Sequence, residues 1–216
     1  MGKISNEIML KLLILDFDGT IIDSNYIKQN AINDFAKNEY NCSLGKKINS
    51  HDIRNLTRYK QLSKVKGSEL TIKEKYKIDN FVNKKVLNAK IDNNLFLLVK
   101  ICKLKKIKIF IVSNTPHSSL LFLLNKLKIC DLFDGILGNN VHSNKVKIFN
   151  YIIKMNGIKP QEALSIGDDI FDYFASKECN IPFLGIQDQS LNFISSNNIV
   201  LNDLRGVVTY IQNNYK

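Results

Sequence analysis

The sequence is poor in residues that punctuate or loosen a chain. Three prolines and ten glycines among 216 residues leave no material for a collagen-like repeat or a low-complexity linker. Long apolar runs are missing too: stretches such as Leu12–Leu15 and residues 120–124 fall far short of the roughly 20 residues that a membrane-spanning helix needs, so no membrane is expected as a partner. The opening segment MGKISNEIML holds an apolar patch, but it runs into Asp16 and Asp18 without a small-residue cleavage site and does not read as a signal peptide. Asn6 stands where N-myristoylation wants Ser or Thr. The four cysteines, Cys42, Cys102, Cys130 and Cys179, are few and far apart, with no paired metal-type spacing. Reduced, buried thiols in a cytoplasmic protein are the expectation. Arginine is limited to Arg54, Arg58 and Arg205, so lysine carries the positive charge.

Against these absences stand 44% hydrophobic residues, which exclude a disordered chain and suffice for one sizeable core, or a core domain with a smaller appendage. The net charge of +11 is unevenly spread. Residues 21–90 hold fifteen basic and seven acidic residues, whereas 91–216 hold fourteen and ten. A positive field over the middle segment would concentrate anionic ligands; a solvated helical surface explains the same charges equally well.

Residues 11–15 (KLLIL) form a short apolar run that stops at Asp-Phe-Asp-Gly-Thr, as a buried parallel strand does at its C-terminal edge. Ser24 is a candidate N-cap for a helix over 24–40, with further helices expected over 50–66 and 70–89. Nothing between 21 and 90 alternates like a strand, so that segment reads as an all-helical insertion. Beyond it, strands at 107–112, 135–137, 163–166 and 183–186 alternate with helices at 93–104, 117–128, 145–156, 170–178 and 203–213. Strand and helix taking turns predicts an α/β fold, a parallel sheet covered on both faces.

The residues with chemistry gather at the expected strand ends. Asp16 and Asp18, two apart in an extended segment, would share one pocket where repulsion invites a divalent cation or a shared proton. Gly19 permits the turn that follows. Ser113 and Asn114 close the second strand, and a hydroxyl beside backbone N–H groups suits phosphate oxygens, although an ordinary helix cap reads as well. Lys145 opens a helix and could bring a cation to the same edge. Asp168, Asp169 and Asp172 follow another strand, and hard oxygen ligands of this kind select Mg²⁺.

The ordered set DFDGT, VSNT, Lys145 and GDDIFD resembles the four motifs of the haloacid dehalogenase superfamily, over nearly the whole chain. A helical insertion directly after the first motif is similar to the phosphoglycolate phosphatase and β-phosphoglucomutase branch. The resemblance implies a Rossmann-like core of about five parallel strands, residues 1–20 and 91–216, with a helical cap at 21–90. It implies Asp16 as the nucleophile that attacks phosphorus, and Asp18 as the acid that protonates the leaving alcohol and then activates water. Mg²⁺ would be held by the Asp16 carboxylate, the Asp18 backbone carbonyl and Asp168. Ser113, the Asn114 backbone and Lys145 would stabilise phosphoryl oxygens, and Asp172 would orient the metal site or Lys145 from behind. Two positions blur the pattern: Lys147 competes with Lys145 as the motif lysine, and Asp169 is either an added metal ligand or a surface charge.

A carboxylate at Asp18 favours phosphate-ester chemistry, because it serves an alkoxide leaving group. The expectation is a Mg²⁺-dependent phosphatase for a small phosphorylated metabolite, working as monomer or homodimer. A phosphomutase uses the same two carboxylates and is the first alternative. The cap set Arg54, Arg58, Lys60 and Lys64 falls at approximately helical spacing and would contribute substrate contacts, Arg54 foremost, or form a solvated face. Thr115 and His117 are placed to touch the leaving group, with a helix-start role open for His117. His51 and His142 have no partners at metal-ligand spacing. A basic polyanion-binding protein, or a phosphatase of nucleic-acid ends, is the rival suggested by a pI near 9.4. Dispersed lysines without interleaved aromatics disfavour nucleic acid as a partner.

Overall fold

A computed structural model of the chain describes residues 9–48, 56–139, 144–186 and 199–215. It divides into two compact units, Ser24–Lys90 and the combination of Met1–Asp23 with Ile91–Lys216.

The Ser24–Lys90 unit is helical: α1 (Asn25–Tyr40), α2 (Arg58–Lys66) and α3 (Ile72–Val86). Ala31, Ile32, Phe35 and Ala36 recur on one face of α1, which packs on α2 and α3. Phe35 meets Phe81 edge to face at 5.7 Å. The N-terminus of α3 is fixed by a capping box in which the Thr71 hydroxyl accepts the Glu74 N–H and the Glu74 carboxylate accepts the Thr71 N–H. Lys66 reaches the same carboxylate at 2.8 Å and ties α2 to α3. The helix expected over 50–66 begins at Arg58, where the Thr57 side chain caps it; residues 49–55, with Arg54 and His51, lie outside the described residues. Ser24 does hold the N-cap position of α1, but its side chain makes no capping bond.

The larger unit is built on one parallel sheet. All four residues of β1 (Leu12–Leu15) are buried, as an unbroken apolar run requires when both faces are covered. β2 (Lys108–Pro116) pairs along one side of β1 and β4 (Ala163–Gly167) along the other. With β3 (Gly135–Asn139), β5 (Phe183–Ile186) and β6 (Ile199–Leu201), the order is β3-β2-β1-β4-β5-β6. The sheet thus has six strands, one more than the five expected. β6 escapes the sequence pattern because it is three residues long with Ile199 and Val200 largely exposed, so neither alternation nor continuous burial marks it.

Helices α4 (Leu95–Leu104), α5 (His117–Lys126), α6 (Lys145–Asn156), α7 (Ile170–Glu178) and α8 (Leu204–Asn214) complete this unit. Leu12, Ile14, Phe110 and Val112 pack with Ile148, Phe149 and Ile152 of α6 and Ala175 of α7. Alternation sends Leu13, Leu15, Ile109 and Ile111, also buried, to the opposite face. Each such side chain contributes about 1.5–3 kcal/mol of hydrophobic stabilisation. Among the described residues no helix is long and apolar enough to cross a membrane. All four thiols are free; Cys102 and Cys179 are buried as expected, while Cys42 and Cys130 are only partly so.

Candidate active site

Parallel strands bring their C-terminal ends to one sheet edge, where an open α/β sheet binds its ligands. Three strand ends and two helix starts supply the candidate residues here. Beyond Leu15, the Asp16 N–H still bonds the Ile166 carbonyl at 2.9 Å, which fixes Asp16 against β4. The chain then bends. Phe17 is wholly buried, Gly19 takes φ 76°, and the N–H groups of Ile21 and Ile22 both return to the Phe17 carbonyl. This bend, in place of an extended run, gives the two carboxylates different partners.

Asp16 faces Lys145. The Lys145 ammonium donates to Asp16 Oδ1 at 2.7 Å and to Asp172 Oδ1, and all three residues are buried. Lys145 is the first residue of α6, whose N-cap Asn144 accepts the Lys147 N–H; Lys147 itself is exposed, so Lys145 is the lysine that enters the cluster. Asp172 comes from the first turn of α7. A Cβ on Gly167 would lie 2.5 Å from Asp172 Cγ, so the glycine of Gly-Asp-Asp makes room for that carboxylate. Asp169 caps α7 by accepting the Phe171 N–H at 2.9 Å.

Asp18 faces β2 instead. Its Oδ2 accepts the Thr115 hydroxyl at 2.7 Å and, more distantly, the Ser113 hydroxyl at 3.4 Å. The Thr115 N–H donates to Ser113 Oγ at 3.0 Å. Ser113, Asn114 and Thr115 lie within β2, where the pairing with β3 shifts register between Val112 and Pro116. Ser113 and Thr115 are buried and Asn114 is exposed. His117 opens α5 and its Nδ1 accepts the Gly138 N–H at 3.2 Å, a bond that anchors the turn to β3.

Burial dominates the electrostatics. It pushes the Asp16 carboxyl up to about 7, with Lys145 pulling down and the charges of Asp172 and Asp18 pushing further up. Asp172 is raised for the same first reason, again opposed by Lys145. For Lys145, burial disfavours the charge, but the two carboxylates outweigh it and hold the ammonium above its ordinary range. Carboxylate therefore exceeds cation in this cluster.

Oxygens of Asp16, Asp168 and Asp172, all buried, lie within 4.8 Å of one another. Asp172 Oδ2 has no hydrogen-bond partner among the described residues. Hard oxygens in surplus of positive charge, with one left unsatisfied, fit a hard divalent cation such as Mg²⁺. Of the other candidates, Arg58 is buried and donates to Asp79 Oδ1 at 3.1 Å, with the Tyr59 hydroxyl on Asp79 Oδ2 at 2.6 Å. Lys60 and Lys64 are exposed, and His142 lies outside the described residues.

Residues 13–186 match the haloacid dehalogenase-like hydrolase family. The chain belongs to this family. No curated protein sequence matches it. Among solved structures, the chain is similar to a predicted phosphoglycolate phosphatase of Haemophilus somnus 129PT, with 21% identity and a TM-score of 0.72 over 94% of this chain and 98% of that one. It is similar to the β-phosphoglucomutase of Clostridium difficile, with 22% identity and a TM-score of 0.72 over 96% and 97%. A family IA variant 3 hydrolase of Entamoeba histolytica gives 15% identity and a TM-score of 0.76 over 94% and 100%. At these identities the likeness concerns the fold.

Sequence reasoning did not find the Thr115–Asp18 bond or the space that Gly167 provides. The signal for the first was the two-residue step from Ser113 to Thr115, which keeps both hydroxyls on one side of an extended strand.

Proposed function

We propose that the protein is a Mg²⁺-dependent phosphatase that hydrolyses a small phosphate monoester through an aspartyl-phosphate on Asp16. The observation that carries this reading is the Asp16–Lys145–Asp172 cluster with an Asp168 oxygen within 4.8 Å of oxygens of both aspartates, set at the C-terminal edge of β1. An Asp16 oxygen attacks phosphorus, and the bond from phosphorus to the ester oxygen breaks. Asp18 gives that oxygen its proton. In the second half, Asp18 takes a proton from water, the water oxygen bonds to phosphorus, and the bond to Asp16 breaks to release inorganic phosphate. Lys145 directs Asp16 and offsets charge on the phosphoryl oxygens, while Asp172 holds Lys145 in place. Ser113 and the Asn114 backbone are the proposed phosphate contacts on β2. Mg²⁺, held by Asp16, Asp168 and the Asp18 backbone carbonyl, would supply the positive charge that lets a carboxylate approach a phosphate. The helical unit is the proposed cap and source of substrate selectivity, with Arg54 as its candidate contact.

Phosphate release from a panel of phosphorylated metabolites, with and without Mg²⁺, tests this reading. Wild type should release phosphate only with the metal, and Asp16→Asn should release none while remaining folded. Turnover retained by Asp16→Asn overturns the mechanism. Because the mutase and phosphatase likenesses are equally close, the panel includes hexose 1-phosphates with a bisphosphate primer. Isomerisation without phosphate release would make the protein a mutase.

A further inference from the structure

Thr115, expected from sequence to touch the leaving group, makes the shorter of the two hydroxyl bonds to Asp18. We propose that Thr115 is the positioning residue of Asp18, holding its carboxylate in the orientation from which a proton passes to the leaving oxygen. The inference rests on the phosphatase reading, in which Asp18 is the acid.

Three observations carry it. Thr115 is buried, and its hydroxyl donates to Asp18 Oδ2 at 2.7 Å, a full-strength O–H···O length. The same residue orders the neighbouring hydroxyl, since its N–H occupies Ser113 Oγ at 3.0 Å and leaves the Ser113 proton directed to Asp18 at 3.4 Å. Finally, Thr115 is itself held by close packing: a Cβ on Gly138 would stand 2.7 Å from the Thr115 carbonyl oxygen and 2.6 Å from His117 Cα. With the His117–Gly138 bond, this presses the turn onto β3. The orientation of Asp18 is thus passed from β3 through the backbone of β2 to one hydroxyl.

A proton donor matters in proportion to the basicity of the leaving oxygen. An alkyl phosphate needs the proton; p-nitrophenyl phosphate, with its acidic phenol, hardly does. Thr115→Val keeps the shape and removes the donor. In single-turnover measurements with Mg²⁺, its release of alcohol from an alkyl phosphate should be slower by about tenfold to a hundredfold, with KM little changed. The p-nitrophenolate burst should slow far less, and Thr115→Ser should restore the alkyl rate. Melting temperature measured alongside reports on the fold. Equal losses on both esters, or no loss on either, overturn the inference. If the wild type hydrolyses no ester at all, the phosphatase reading fails and the inference fails with it; wild-type turnover with an unaffected Thr115→Val defeats the inference alone.

Discussion

At the scale of single residues, the site is a balance of buried charge. Lys145 neutralises part of a cluster that holds more carboxylate than cation, so its loss leaves Asp16 and Asp172 confined together. Lys145→Met should destabilise the larger unit by about 3–5 kcal/mol in urea unfolding with chelator present, and added Mg²⁺ should recover part of that loss. An unchanged midpoint would contradict the burial of the pair. Gly167→Ala presses a methyl against Asp172 and should cost about 1–3 kcal/mol along with most of the phosphate release. Gly45→Ala, where nothing lies within 4 Å, is the control expected within about 0.5 kcal/mol of wild type. The aspartates were legible in sequence because a short apolar run ending in carboxylates has few other uses. The choice between Lys145 and Lys147 was not legible. Both sit in the first turn of α6, and residue spacing alone does not say which one turns toward the sheet. Asp169 was ambiguous because a capping oxygen and a metal ligand are the same chemical group.

At the scale of elements, the helical unit offers a pH test. The Glu74 carboxyl is lowered from 4.5 to about 2, first by the bond from Lys66 and then by the Thr71 N–H and hydroxyl. A depressed carboxyl stabilises the fold above its unfolded value and loses that contribution as pH falls through the folded one. The stability gap between wild type and Glu74→Gln, followed by thermal melting, should therefore be full above about pH 4.5 and narrow toward pH 2. A gap independent of pH would rule out the ionised capping box. Strands with unbroken or β-branched apolar runs were readable from pattern. The continuation of β2 through Ser113, Asn114 and Thr115 was not, because polar residues before a proline look like a loop, and the pairing with β3 resumes only at Pro116.

At the scale of the molecule, residues 24–90 carry fifteen basic and six acidic residues, against sixteen and fourteen in the remainder. That asymmetry predicts electrostatic capture of a doubly charged phosphate. Its kcat/KM should fall about two- to fivefold between roughly 10 and 150 mM salt while kcat stays level. A far steeper decline, linear in log salt with a slope of several, would instead indicate a polyanionic ligand. The strand order carries a consequence for biosynthesis. β1 lies at the centre of the sheet, but both of its neighbours are encoded later, the nearer beginning at Lys108. At translation rates of about 5–20 residues per second, Leu12–Leu15 emerges with two unsatisfied edges and waits roughly 5–20 s for its first partner. During that interval the apolar segment stays without a sheet to cover it, and Asp16 has no pocket to occupy.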